Sequence, residues 1–391
     1  MHTQVSLSVR GSSGDFLKKA LAVARGSGFG HVDESPFGTD QKRTSVPATS
    51  SKSRRIDSVG GEFAAALKSY ADRGILPSSE PSMLYHIGNG QGSGRVSFGL
   101  HVIGSKQSIA EALVIRTAFS IAEEAGIKNA TLHVNSIGDR DSSAKFAREA
   151  GNYLKRHADR LPSGAAEALK DDVFAALEIL GKKAHPLYAE IPRPYEFLTS
   201  ASRRHLREVL EFIERNDIPY EIDDLRIGHR DCYTQTVFEI RGDGEDGRTA
   251  FARGGRYDEF PRQLYKLSSP GVGIVFSAQA DPIPTLYPAP PKNTRQPKIC
   301  FVHVGFEAKV KSLKVIDAMR RARVPFYQCL KYEKLTDQMR YAESLSVPYT
   351  LIMGHKEALE SCVIIRNVAT RAQESVPIDA LSNFFRSKSA W

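Results

Sequence analysis

Tyr233-Thr-Gln-Thr-Val-Phe-Glu-Ile-Arg241 and Arg248-Thr-Ala-Phe-Ala-Arg253 stand on either side of Gly242-Asp-Gly-Glu-Asp-Gly247, and Gly254-Gly-Arg-Tyr-Asp258 follows at once. Two runs rich in β-branched and aromatic residues around a glycine-rich turn read as an antiparallel hairpin. Strands joined this way build an antiparallel sheet, which argues against the doubly wound parallel sheet of many nucleotide-binding folds. The stretch sets the expected class: α+β, with an antiparallel sheet core.

Working outward, Gly94 to Ile103 reads as a strand with Val96, Phe98, Leu100 and Val102 on one face. Ser108-Ile-Ala-Glu111 has the spacing of a capping box, opening a helix that stops at Gly126. Thr131 to Asn135 is a further strand, with Leu132 and Val134 inward. Residues 140–216 are mostly helical, and Arg203 to Arg215 sets Leu206, Val209, Leu210 and Ile213 on one face. Nearer the start, helices are expected over Asp15 to Ala24 and Glu62 to Arg73. The second carries Phe63, Leu67 and Tyr70 at i, i+4 and i+7. Gly38 to Ser53 is rich in Ser, Thr and Lys and reads as a mobile loop.

Downstream, Asp281 to Pro291 holds five prolines in eleven residues and cannot continue a helix or a central strand. Beyond it, strands at 298–304, 325–330, 348–353 and 361–367 alternate with helices at about 307–323 and 334–346, and a last helix runs from Asp379 to Arg386. The expected organisation is a core over residues 1–280 with a helical insertion at about 138–220 and a flexible loop at 35–60. A Pro-rich linker at 281–297 and an α/β domain at 298–391 complete it.

The 391 residues include 54 Lys or Arg and 45 Asp or Glu, a net charge of +9. Twelve of the cations fall between Lys292 and Arg340, against four acids, so the second domain carries most of the surplus. Such a concentration attracts polyanions. No apolar run approaches the roughly 20 residues of a membrane span. Met1 to Asp15 lacks the apolar stretch of a secretory signal, and the four cysteines are far apart without CxxC spacing. A cytoplasmic protein without disulfides, metal or membrane attachment is expected.

Several segments have the composition of ligand-contacting loops. Gly88-Asn-Gly-Gln-Gly-Ser-Gly94 has neither Walker nor Rossmann order and reads as a flexible turn. Asn135-Ser-Ile-Gly-Asp139 ends a strand, with Asp139 or Asp141 placed to cap the next helix. His229 and Asp231 alone do not make a metal site. No Cys–His dyad or Gly-x-Ser-x-Gly elbow supports nucleophilic hydrolysis.

Taken in order, these segments resemble the histidyl-tRNA synthetase family. Asn135-Ser-Ile-Gly is similar to its LNSIG segment, and Asp231-Cys-Tyr-Thr-Gln-Thr-Val-Phe-Glu239 to its second histidine-site motif. Gly254-Gly-Arg-Tyr-Asp258 matches GGRYD. Leu84-Tyr-His-Ile-Gly88 and Gly99-Leu-His-Val-Ile-Gly104 resemble the flanks of class II motif 2, and Pro270-Gly-Val-Gly273 the start of motif 3. Val363-Ile-Ile-Arg-Asn-Val-Ala-Thr370 resembles part of the anticodon-binding domain. The resemblance runs over about residues 60–391. It implies a class II aminoacyl-tRNA synthetase core on a six-stranded antiparallel sheet, activation of histidine with ATP, transfer to tRNA, and a homodimer.

The chain departs from that pattern where the chemistry needs positive charge. The Phe-Arg-x-Glu loop of motif 2 is replaced by Ile87-Gly-Asn-Gly-Gln-Gly, with no Arg between Arg73 and Arg95. Motif 3 ends Ser277-Ala-Gln-Ala280 instead of in Glu-Arg, and Gly228 stands where the histidine-site arginine belongs. His101 replaces an acidic residue. Losing one charge clamp costs orders of magnitude in rate. The resemblance leaves a degenerate histidine pocket made of Glu62, His101, Asp231, Tyr233, Gly254, Gly255, Arg256 and Tyr257. Arg95, Arg226 and Arg230 are the candidates to replace the missing arginines.

The leading expectation is a synthetase-like protein without aminoacylation activity or cofactor, which binds tRNA, another structured RNA or a protein partner. Its RNA-contacting residues are expected to be Lys309, Lys314, Arg320, Arg321, Arg323 and Lys331. The alternatives are an active histidine–tRNA ligase using ATP and Mg²⁺, and a histidine-sensing regulatory subunit of the kind that partners ATP phosphoribosyltransferase.

Overall fold

In the computed structural model, which describes residues 13–31, 58–76, 80–89, 95–228, 230–244, 247–279 and 296–387, the hairpin lies at the centre of the first sheet. The chain begins with α1 (Ser13–Gly26), β1 (Gly30–His31), α2 (Ser58–Asp72), β2 (Ser82–Asn89), β3 (Arg95–Ile103), α3 (Ile109–Glu124) and β4 (Thr131–Gly138). A helical insertion follows: α4 (Arg140–Arg156), α5 (Ser163–Asp171), α6 (Val173–Lys182) and α7 (Pro186–Glu190). The chain returns through α8 (Ser200–Arg215), β5 (Tyr220–Ile222), β6 (Thr234–Gly244), β7 (Gly247–Arg256), α9 (Phe260–Tyr265) and β8 (Gly271–Gln279).

The strand order is β1-β2-β3-β8-β7-β6-β4-β5. Its six inner strands pair antiparallel, and β1 and β5 add to the two edges in parallel. Of the loop expected at 35–60, residues 58–60 instead open α2 and the rest lies outside the described residues, as do the glycine run beyond Asn89 and most of the Pro-rich linker.

Strand alternation sorts the sheet into two buried faces. Val96, Phe98, Leu100 and Val102 join Phe238, Ile240, Ile274 and Phe276 in a core covered by residues of α1, α3 and α8. The other face is covered by α2, whose Phe63, Leu67 and Tyr70 pack with Leu84, Ile103, Val237, Tyr257 and Val275. In β4 all eight residues are buried, because helices lie on both sides. The insertion has its own small core around Phe146, Phe174 and Leu177.

Asp139 caps α4 as its sequence position suggests, accepting the Ser142 amide at 2.9 Å. The capping box at Ser108 does not form. Ser108 already has helical backbone angles, so its hydroxyl does not reach back over the first turn, and it donates to Glu208 of α8 at 2.8 Å instead. Glu111 turns inward and is fully buried against Arg256. Arg256 Nε donates to Glu111 Oε1 at 2.7 Å, and its other nitrogens reach Glu111 Oε2, Asp258 and the Ser105 and Gln107 carbonyls. Glu111 Oε1 also bonds His205 Nε2 at 2.6 Å and accepts from the Thr236 hydroxyl at 3.1 Å. A buried ion pair is tolerated when its remaining donors and acceptors are satisfied in this way.

The C-terminal part runs β9 (Ile299–His303), α10 (Phe306–Ala322), β10 (Phe326–Gln328), α11 (Leu335–Ser344), β11 (Tyr349–Met353), α12 (His355–Glu360), β12 (Cys362–Asn367), β13 (Gln373–Pro377) and α13 (Leu381–Ser387). These strands form a second sheet in the order β10-β9-β11-β12-β13. The two short elements α12 and β13 are not evident in the sequence: in β13 only Val376 is buried, so no alternation marks it. The apolar core is continuous from the first sheet into this one, with α10 between them. Arg116 donates to Asp317 at 2.8 Å, Arg215 grips Glu307 with two bonds of 2.6 and 2.8 Å, and Phe212 packs edge-on to Phe306.

Glu111→Gln leaves the Arg256 charge buried beside Asp258 alone and should cost about 3–5 kcal/mol in denaturant unfolding. Burial on its own would raise the Glu111 carboxyl, but Arg256 and His205 outweigh it and hold it at about 2, below the ordinary 4.5. A depressed carboxylate stabilises above its unfolded value, and that contribution is lost as pH falls from 4.5 towards 2. The variant should therefore show a shallower acid loss of stability than wild type.

Candidate functional site

The α2 face of the sheet gathers the aromatic and ionisable groups. Register brings them together: β2 sets His86 opposite Gly99, and β3 sets His101 opposite Gly273. A Cβ on Gly99 would lie 2.0 Å from the His86 ring, and one on Gly273 would lie 2.6 Å from His101. These two glycines let the imidazoles lie flat on the sheet.

Tyr257, just past the end of β7, bonds His101 Nδ1 at 2.6 Å. His101 Nε2 bonds His86 Nδ1 at 3.0 Å. His86 Nε2 lies 3.9 Å from Glu62 Oε2, beyond hydrogen-bond range but within charge attraction, and Ser97 donates to the same oxygen at 2.8 Å. Burial drives His101 well below the usual imidazole range, with His86 adding to it, and burial raises the Tyr257 phenol well above its own. His86 and Ser97 hold the Glu62 carboxyl low despite its partial burial. With Tyr257 protonated and His101 neutral, one proton order fits both hydrogen bonds, Tyr257 donating to His101 and His101 to His86, while the buried His86 Nε2 faces Glu62 without a hydrogen bond.

α2 closes this row over. The Phe63 ring centre lies 5.2 Å from His101, 4.8 Å from Tyr257 and 6.2 Å from Tyr233, and Tyr70 packs edge-on to His101 at 5.8 Å. His101 and Tyr257 are both 0% exposed. The chain's own side chains occupy the space between Tyr257 and Glu62.

Of the pocket residues suggested by the sequence, Glu62, His101, Tyr233 and Tyr257 come together, with Gly255 beneath the Tyr233 ring. Arg256 does not join them. Alternation turns it through the sheet to Glu111, where its guanidinium is fully bonded. Gly254 is packed against Gly273 and Phe238, and Asp231 is half-buried in the turn before β6. Arg230 is exposed, 5.5 Å over the Phe174 ring of the insertion. Arg95 opens β3 opposite Gln279, its side chain outside the described residues, as is His229.

Arg226 belongs to a cluster that sequence reading missed. Glu239, 1% exposed, takes Arg226 at 3.0 Å, Arg241 at 2.6 Å, and Arg253. Burial opposes its ionisation, but the three guanidinium groups keep the carboxyl low. Glu239 and Arg241 are two apart on β6, and Arg253 is directly opposite Glu239 on β7. The i, i+2 pair was a visible signal, but its meaning depends on the hairpin register.

Of the basic residues suggested for RNA, Lys309 is tied to Glu333 at 2.8 Å and Lys331 to Glu80 at 2.7 Å. Lys314 lies 3.8 Å from Asp217, and Arg320 lies between Asp317 and Glu124. Arg321 and Arg323 are exposed. Among the described residues no group of three or more His, Cys, Asp or Glu is placed to hold a metal ion.

Residues 298–388 match the anticodon binding domain family. The chain is 24% identical to a histidine–tRNA ligase of Dehalococcoides mccartyi over 334 residues, 81% of this chain and 78% of the relative. It is 26% identical to that of Bacillus subtilis over the same shares. Among solved structures, apo histidyl-tRNA synthetase from S. aureus is similar, with TM-score 0.45 and 22% identity, covering 82% of this chain and 81% of that one.

A histidine kept neutral by folding takes up a proton more readily once unfolded, so stability falls as pH drops below 6.5. His303, lowered to about 3 by burial and Lys309, acts in the same direction. Each such group contributes up to about 1.4 kcal/mol per pH unit. His101→Phe should flatten the decline between pH 6.5 and 5, measured by urea unfolding at a series of pH values.

Proposed function

We propose that this chain, which belongs to the histidyl-tRNA synthetase family, binds tRNA or another structured RNA without activating histidine. The observation that carries this reading is the filled pocket. His101 and His86 lie between Tyr257 and Glu62, which the family resemblance assigns to the amino-acid site. An incoming histidine would have to displace a hydrogen-bonded, fully buried imidazole of the same chemistry, together with the cover of Phe63. Such an exchange offers little net gain and breaks existing packing.

The charges support the same reading. Amino-acid activation brings a carboxylate to an α-phosphate and needs cationic stabilisation of the developing charge. Arg226 is directed onto Glu239, and Arg230 lies on Phe174. The match of residues 298–388 to an anticodon binding domain, and of most of the chain to tRNA ligases, makes tRNA the first RNA to test. In this proposal the protein acts in the cytoplasm as a homodimer, alone or with a protein partner, and needs neither ATP nor Mg²⁺.

Histidine-dependent ATP–pyrophosphate exchange should stay at background with folded wild-type protein, while tRNA produces a gel shift that weakens steeply with salt. Exchange above background that disappears in Tyr257→Ala would establish the competing reading, an active ligase. The filled pocket has its own test. His101→Ala should melt lower than wild type, and added imidazole should restore part of the loss by refilling the site. Imidazole should leave the wild-type melting temperature unchanged.

A further inference from the structure

On the opposite side of the sheet from α2, the first domain meets the C-terminal one around a cavity of about 620 Å³, within the ~300–1,000 Å³ range of ligand sites. Six cationic side chains line it: Lys19 and Arg25 from α1, Arg320, Arg321 and Arg323 at the end of α10, and Arg386 of α13. Among the described residues, the one acid on its wall is Glu124. Asp15 and Asp317 pair with Lys19 and Arg320 from outside the wall, and Arg25 donates to the Tyr85 hydroxyl at 3.2 Å.

The assembly is built by packing. A Cβ on Gly26 would lie 2.8 Å from Arg320 Cγ, so the bare glycine is what lets Arg320 lie across the end of α1. Arg323 takes the left-handed conformation that ends α10 (φ 57°) and turns the chain into Val324 and Pro325, which also line the cavity. Arg386 donates to the Arg321 carbonyl at 3.1 Å, fixing α13 beside them.

Helix ends explain part of this charge. Cations favour helix C-termini by about 0.3–1 kcal/mol each, which accounts for Arg25, Arg320 and Arg321. The same effect covers Arg386 in the last turn of α13, but it does not reach Lys19, about two turns back from the end of α1. Arg320 Nε is buried without an acceptor, and its nearest carboxylates stand 3.6 and 3.8 Å from the guanidinium. A buried donor left unpaired costs free energy that a bound anion would recover.

We propose that this cavity holds phosphates of an RNA backbone, a contact made jointly by both domains. The proposal rests on the RNA-binding reading above and places that binding on the side of the molecule away from the filled pocket. A phosphodiester chain brings evenly spaced single charges and oxygen acceptors, which suit several guanidinium groups presented from three helices.

The test compares tRNA affinity across a salt series for wild type, Arg321→Gln/Arg386→Gln, and Lys170→Gln/Lys356→Gln as a charge-matched control on exposed residues elsewhere. The cavity variant should bind at least tenfold more weakly at physiological salt. Its slope of log K against log salt should be shallower by about 1.5–2, the loss of two phosphate contacts. Gly26→Ala, which displaces Arg320 without removing a charge, should also weaken binding. Full affinity in the cavity variant, or an equal loss in the control, overturns the cavity while leaving RNA binding in place. Failure of the wild-type protein to bind tRNA overturns both.

Discussion

Arg256 and Glu111 meet where water does not reach, and much of the first domain depends on that meeting. The pair joins the end of a central strand to the helix that covers one face of the sheet, and His205 brings in α8. Burying two charges is unfavourable unless each is fully bonded. That requirement fixes the rotation of α3, the exit of β7 and the path of residues 105–107 at once. It also fixes the next residue. Because successive side chains leave a strand on opposite faces, anchoring Arg256 towards α3 commits Tyr257 to the α2 side.

That side shows how a sheet face can close on itself. Glycines at 99 and 273 remove the bulk that would hold imidazoles off the sheet, and α2 lays Phe63 and Tyr70 over them. Nearby, three arginines converge on Glu239. Both arrangements turn polar groups inward to one another. A group of cationic side chains stands instead at the helix ends where the two domains touch.

The hairpin, the strand at 95–103, the α2 face and the alternation in the second domain were legible because each has a local period. The features that proved decisive were not. Ser108 and Glu111 have the spacing of a cap, yet Glu111 serves a partner 145 residues away. Arg256 and Tyr257 are neighbours in one motif, and only the sheet shows that they face opposite ways. His86 gave no signal, since its significance lies in being opposite Gly99. The charge surplus at 292–340 was read correctly as a count. Its distribution was not, because Glu80, Asp217 and Glu124, far back in the chain, neutralise part of it.

The core that runs without a break from the first sheet through α10 into the second has a consequence for how such a protein changes over time. α10 packs against α1 and α3, and its apolar residues belong to the same cluster as those of the first sheet. The C-terminal domain is therefore an internal wall of the first as well as a module with its own surface. A lineage that gave up chemistry on the α2 face would still be held to keep this domain, since deleting it would expose the interior of what remained. Its outer surface, released from one task but not from existence, is the part free to acquire another.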